Sequence, residues 1–147
     1  KNSGYGTAKA GARAIADQMK KLGVPDGEYL IADGSGLSRE NLVTPRAVCA
    51  LLKAMLTSPH SETFLNSFPV AGERGSLSGR MRKAPTAGNV RAKTGSINGV
   101  RALSGYVESG DRELFVFSFI VNNYQTSGTS PTRLQDRACA LIAESKR

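Results

Sequence analysis

The stretch VRAKTGSINGVRALSGYV, Val90 to Val107, decides how the rest of the chain is read. Two runs of β-branched and small residues flank Asn98-Gly99, a pair suited to a tight hairpin because both central positions need positive φ. The first run predicts a strand over Val90 to Ile97, and the second its antiparallel return over Val100 to Val107. Inside the first sit Lys93, Thr94, Gly95 and Ser96. For a core strand this is an odd set, since glycine packs nothing and a lysine is seldom fully buried. At an open sheet edge the set makes sense. An extended peptide can be added there as a further strand, and Gly95 lets it approach without a Cβ in the way. The Thr94 and Ser96 hydroxyls and the Lys93 charge suit a carboxylate, while the Ser96 N–H can help hold an oxyanion. A basic surface strand without a role fits the same four residues, because Lys-Thr-Gly is short enough to recur by chance.

Downstream, Glu108-Ser109-Gly110-Asp111 predicts a second turn, and RELFVFSFIV, Arg112 to Val121, a third strand. Leu114 to Val121 is apolar on both faces, as in a strand covered on both sides within a sheet. Its second neighbour is either the short strand predicted over Glu28 to Asp33 or a strand from outside these residues, and the latter is the preferred reading. Ser130-Pro131 predicts the cap of a last helix whose face includes Leu134, Ala138, Leu141 and Ile142. Upstream, Thr7 caps an amphipathic helix that runs to Leu22 and ends at Gly23 and Pro25. Thr44-Pro45 opens another, with Val48, Leu51, Leu52, Met55 and Leu56 on its buried face, and Ser61 begins one or two further turns. Ala71 to Asn89, AGERGSLSGRMRKAPTAGN, predicts an extended surface loop. Helices, then a three-strand meander, then a terminal helix make an α+β arrangement within a single domain over residues 1–147.

Composition narrows the function. The 147 residues carry a formal charge of +8, and the window from Arg74 to Arg101 holds seven cations (Arg74, Arg80, Arg82, Lys83, Arg91, Lys93, Arg101) and no acid. Such a window suggests either solvated surface cations or a groove for an anion. A nucleic-acid site is disfavoured, because no Phe or Tyr falls in that window to stack a base. Cys49 and Cys139 sit in apolar helical patterns and read as free thiols. With one histidine, His60, in a turn, and two distant cysteines, no metal-ligand spacing exists, and no cofactor is expected. No apolar run is long enough to span a bilayer.

Taken together, KTGS on a strand before GVRALSGYV, DGSGLSRENLVTP (Asp33 to Pro45) and FPVAGERGSLSGRM (Phe68 to Met81) resemble, in order, one known family. It is the penicillin-binding D-alanyl-D-alanine carboxypeptidases of the class C low-molecular-mass type, the serine peptidases of family S13, which also act as D,D-endopeptidases. The resemblance implies the C-terminal part of a transpeptidase or serine β-lactamase-like fold. It implies a peptidoglycan peptide ending in D-Ala-D-Ala as substrate, acylation by β-lactams, and a place outside the cytoplasmic membrane. By the same resemblance Lys93 completes the hydrogen-bonded network that sets proton transfer, and Thr94 and Ser96 bind the terminal carboxylate. The Ser96 N–H joins the nucleophile's own amide as oxyanion donor. Ser35, Leu37 and Arg39 contact substrate from the opposite side of the groove, although Arg39 equally suits a structural bond to loop carbonyls.

The chain departs from the family pattern in one respect. No serine here has a lysine three residues on, and Ser-x-Asn occurs only at Ser96-Ile97-Asn98, on the KTGS strand itself. The expectation is therefore a piece whose partner, an N-terminal part of the same protein, carries Ser-x-x-Lys and Ser-x-Asn. Two alternatives stand beside it: an esterase or β-lactamase of the same fold, and a non-catalytic basic binding module.

Overall fold

The computed structural model describes residues 6–146. Its elements run α1 (Ala8–Lys21), β1 (Tyr29–Leu30), β2 (Leu42–Val43), α2 (Pro45–Leu56), α3 (Ser61–Asn66), β3 (Arg91–Ile97), β4 (Val100–Glu108), β5 (Leu114–Asn122) and α4 (Thr129–Glu144). The three long strands form one antiparallel sheet in the order β3-β4-β5. Gly99, at φ +74°, makes the turn that returns β3 into β4. Thr7 and Thr44 cap α1 and α2 as expected, their hydroxyls accepting from Ala10 N and Ala47 N.

Strand alternation divides the sheet into two faces. Ala92, Leu103, Val107 and Phe117 join Cys139 and Ala143 of α4 in the larger core, with Phe115 and Phe119 packed against them. On the other face Tyr106 meets Leu52 of α2 and Phe68, with Val48, Leu56, Phe64 and Val116 around them. Phe68 is the hinge of that cluster, edge-on to Phe64 at 5.1 Å and to Tyr106 at 5.6 Å. Helices thus cover both faces, and the sheet is the central layer.

One glycine is required by this packing. A Cβ on Gly105 would stand 2.6 Å from Ala92 Cα and would run into the Arg91 carbonyl oxygen, so β3 and β4 approach closely only because that side chain is missing.

Three expectations are corrected. The strand predicted over Glu28 to Asp33 shrinks to Tyr29–Leu30 and pairs with Leu42–Val43 instead of with β5. Among the described residues β5 accordingly has one neighbour, β4. The loop Ala71 to Asn89 is not merely superficial: Ala71 and Leu77 are fully buried, and Gly72 N donates to the Leu77 and Arg80 carbonyls at 3.0 and 2.9 Å. Ala71 and Leu77, with Met81 packed against the same core, anchor the polar run.

The last correction concerns α4. Its N-cap is Gly128 rather than Ser130, and its buried stripe is Pro131, Gln135, Cys139 and Ala143, while Leu134 and Leu141 are 63% and 53% exposed. Where the helix meets Phe115, Phe117 and Phe119 its fully buried side chains are the small Cys139 and Ala143, so fit against those rings rather than hydropathy alone selects the inner face. The cysteines are free thiols, Cys139 fully buried and Cys49 partly so.

Burial pushes the Tyr106 phenol, which donates to the Leu52 carbonyl at 2.8 Å, up to about 12. It also pushes the Cys139 thiol up to about 12, with Asp136 adding to the rise and Arg80 opposing it. Both groups are neutral in the fold, and their ordinary values are 10.0 and 9.0. Their contribution to stability is therefore complete below pH 9 and is lost as pH climbs towards 12. Urea midpoints should hold steady up to pH 9 and then fall, and Tyr106→Phe should flatten the part of the decline above pH 10.

Candidate active site

The KTGS segment lies on β3, the edge strand beside β4. Its first residues are covered: Val70 bridges Arg91, and Ala92 N donates to the Pro69 carbonyl at 3.0 Å across the outer edge. Peptide groups in an antiparallel ladder alternate in direction, so the Thr94 and Ser96 N–H and C=O point to the same outer edge as Ala92. Beyond Ala92 no strand covers that edge among the described residues. Open backbone groups therefore begin at the Thr94 N–H, the Thr94 carbonyl accepting from the Lys93 ammonium.

The side chains divide between the faces. Lys93 and Gly95 share a face with Tyr106, Ser104 and Ala102, and Thr94 and Ser96 share the other with Leu103 and Arg101. Lys93 borders a depression of about 300 Å3 floored by Phe64, Phe68 and Pro69, and its ammonium curls to the Thr94 carbonyl at 2.8 Å. Thr94 Oγ1 donates to Ser76 Oγ at 3.0 Å. The space at Gly95 is modest rather than open, for a Cβ there would meet Ala102 Cβ at 3.1 Å.

The loop after β1 is built around a carboxylate. Asp33 Oδ1 accepts from the Ser35 N–H at 3.0 Å, from the Ser35 hydroxyl at 2.8 Å and from Asn41 Nδ2 at 3.0 Å. Asn41 Oδ1 in turn accepts from the Ala32 and Asp33 amides, closing the loop at its base. Hydrogen bonds from Ser35 and then Asn41 hold the Asp33 carboxyl below its ordinary range. The Ser35 hydroxyl also accepts from Leu37 N at 3.1 Å, so it is occupied in shaping the loop. Leu37 projects, 72% exposed.

Arg39 reaches across to the hairpin. Its guanidinium donates to the Asn98 carbonyl at 2.9 Å, tying the loop to the turn that follows KTGS. Between them, Arg39, Asn41 and Leu42 on one side and Ile97, Val100 and Ile120 on the other line a depression of about 370 Å3. Of the expected residues, then, Lys93 to Ser96 lie on the open edge and Arg39 touches their hairpin. Ser35 and Leu37 stand further out on the same loop.

Besides Lys93, three more of the seven cations in the basic window are tied to the protein. Arg80 pairs with Asp136 at 2.6 Å, Arg74 donates to the Asn66 carbonyl, and Arg101 donates to the Ile97 and Val100 carbonyls. Ser76, Asp33, Asn41 and Asn98 were not foreseen as parts of this site. Asp33-Gly34-Ser35 carries the sign of a side-chain-capped turn, whereas nothing near Ser76 in sequence points to Thr94.

The family model described as the D-Ala-D-Ala carboxypeptidase 3 (S13) family matches residues 1–145. The chain belongs to this family. It is 42% identical over 147 residues to the D-alanyl-D-alanine carboxypeptidase of Actinomadura sp. strain R39, covering 97% of this chain and 27% of that protein. Among solved structures it resembles penicillin binding protein 4 (DacB) of Haemophilus influenzae, with a TM-score of 0.85 and 30% identity over 93% of this chain and 32% of that one. The extended-spectrum β-lactamase TLA-1 shares the fold, with a TM-score of 0.64 at 20% identity. This S13 chain thus spans about a quarter to a third of the length of the Actinomadura and Haemophilus relatives. Among the described residues no helix is long and apolar enough to cross a membrane.

Proposed function

We propose that these residues form one wall of the active site of a serine D-Ala-D-Ala carboxypeptidase, with peptidoglycan stem peptides as substrate. The observation that carries this reading is the open edge at Thr94 and Ser96, flanked by the Lys93 ammonium and joined at its turn to the Asp33–Asn41 loop by Arg39. The nucleophile stands in a Ser-x-x-Lys motif, with a Ser-x-Asn beside it, on chain outside these 147 residues. Its oxygen attacks the carbonyl between two D-alanines while the Ser96 N–H and the nucleophile's own N–H hold the oxyanion. The C–N bond breaks, the departing amine takes a proton through the network that includes Lys93, and D-alanine leaves. Water then hydrolyses the acyl-serine ester. Thr94 and Ser96 hold the terminal carboxylate, and Leu37 and Arg39 bound the substrate on the far side. The same acyl-enzyme serves D,D-endopeptidase action on a cross-link, and a β-lactam acylates the same serine. Such a substrate places the protein outside the cytoplasmic membrane.

Fluorescent penicillin tests the reading. The full-length protein should be marked covalently on a serine, whereas the 147 residues by themselves, with no serine three residues before a lysine, should not. Absence of labelling in the full-length protein would sink the proposal. Arg39→Ala in that protein should leave the melting temperature nearly unchanged, because the bond to Asn98 is exposed, yet slow acylation about tenfold by freeing the loop from the turn. Arg39→Lys should not restore the rate, since an ammonium lacks the flat, forked geometry of a guanidinium.

A further inference from the structure

The Thr94 side chain is braced from another element. Its Oγ1 lies 3.0 Å from Ser76 Oγ, although the two residues are eighteen apart in sequence. Ser76 sits in a one-turn 3-10 helix, Gly75–Leu77, fixed by the fully buried Leu77 and by the bond from Gly72 N to the Leu77 carbonyl. Among the described residues neither hydroxyl bonds anything else. The pair is exposed, so the folded state gains little from it.

A hydroxyl both donates and accepts, and its hydrogen rotates to suit. Thr94 donates in the pair as it stands, which occupies the hydrogen that an arriving carboxylate needs. The pair survives binding only if Ser76 turns and donates to Thr94 Oγ1. Accepting from Ser76 also polarises the Thr94 hydroxyl and makes it a better donor to the anion. We propose that Ser76 is a positioning residue that holds Thr94 Oγ1 towards the carboxylate and switches from acceptor to donor when the anion binds. This rests on reading the Lys93–Ser96 edge as the carboxylate site.

The test uses the full-length protein and a peptide ending in D-Ala-D-Ala. Ser76→Ala should lower kcat/KM by about tenfold, and Ser76→Thr, which keeps the hydroxyl, should return most of the loss. Ser76→Cys keeps the size but donates weakly, and it should behave like Ser76→Ala. The melting temperatures of all three should match that of the parent. If Ser76→Ala lowers the melting temperature, the contrast between the Thr and Cys variants carries the test. Full activity in Ser76→Cys, or none regained in Ser76→Thr, overturns the proposal, as does Ser76→Ala with unchanged kcat/KM. A parent protein that neither cleaves the peptide nor takes up fluorescent penicillin overturns the active-site reading itself.

Discussion

Lys93→Ala in the full-length enzyme is expected to slow acylation by fluorescent penicillin about a hundredfold or more, the range associated with losing a group that positions or transfers a proton. Its stability should hardly change. The Lys93 side chain is exposed, and its bond is to the neighbouring Thr94 carbonyl, so substitution should stay within about 0.5 kcal/mol. That contrast separates a role in chemistry from a role in folding. Lys93→Arg is not expected to rescue the rate, because a broad, permanently charged guanidinium does not replace a compact ammonium at the mouth of a depression of about 300 Å3. Acylation rates and thermal melts on the same preparations check both halves, and parent-like acylation in Lys93→Ala would remove Lys93 from the mechanism.

Gly105→Ala is expected to be the most damaging single-methyl change in the sheet. The added Cβ would stand 2.6 Å from Ala92 Cα and 2.8 Å from Ala92 Cβ, besides striking the Arg91 carbonyl oxygen. Relief requires β3 to move outward, yet its outer side is pinned where Ala92 N bonds Pro69 O and Val70 bridges Arg91. The cost belongs at the upper end of overpacking, about 3 kcal/mol, which lowers the melting temperature by on the order of 10 °C. Acylation should fall with it, because the displaced strand carries Lys93 to Ser96. Gly95→Ala is the milder comparison: its nearest contact would be the Ala102 Cβ at 3.1 Å, which a small shift of the strand relieves, whereas the Cβ on Gly105 overlaps backbone atoms. Coincident melts for Gly105→Ala and the parent would show that β3 moves freely.

Local rules made much of this fold readable. Asn98-Gly99 gave the hairpin, Thr7 and Thr44 gave helix starts, and the apolar run Leu114 to Val121 gave the third strand. The KTGS strand was legible as an edge because a glycine and a lysine suit a core strand poorly. What escaped depended on partners distant in sequence. The inner face of α4 follows the bulk of Phe115, Phe117 and Phe119 rather than its own leucines, which remain exposed. The ladder Tyr29–Leu30 with Leu42–Val43 is too short for a periodic signal and is closed by the Asp33 and Asn41 side chains. Gly105 looked like any strand glycine until its distance to Ala92 was known. Ser76 carried no signal, since its partner is set by how a long loop folds back onto β3.

The covered start of β3 leaves outward-pointing peptide groups only at Thr94 and Ser96, roughly 7 Å apart along the strand. A guest chain can zip onto so short a hem for one or two residues and no more. On the proposed reading, grip is confined to the last links of a stem peptide, and the remainder trails free. A surface of that kind suits a tool working on a woven, immobile fabric: it can pinch a loose thread end without having to thread the strand through itself.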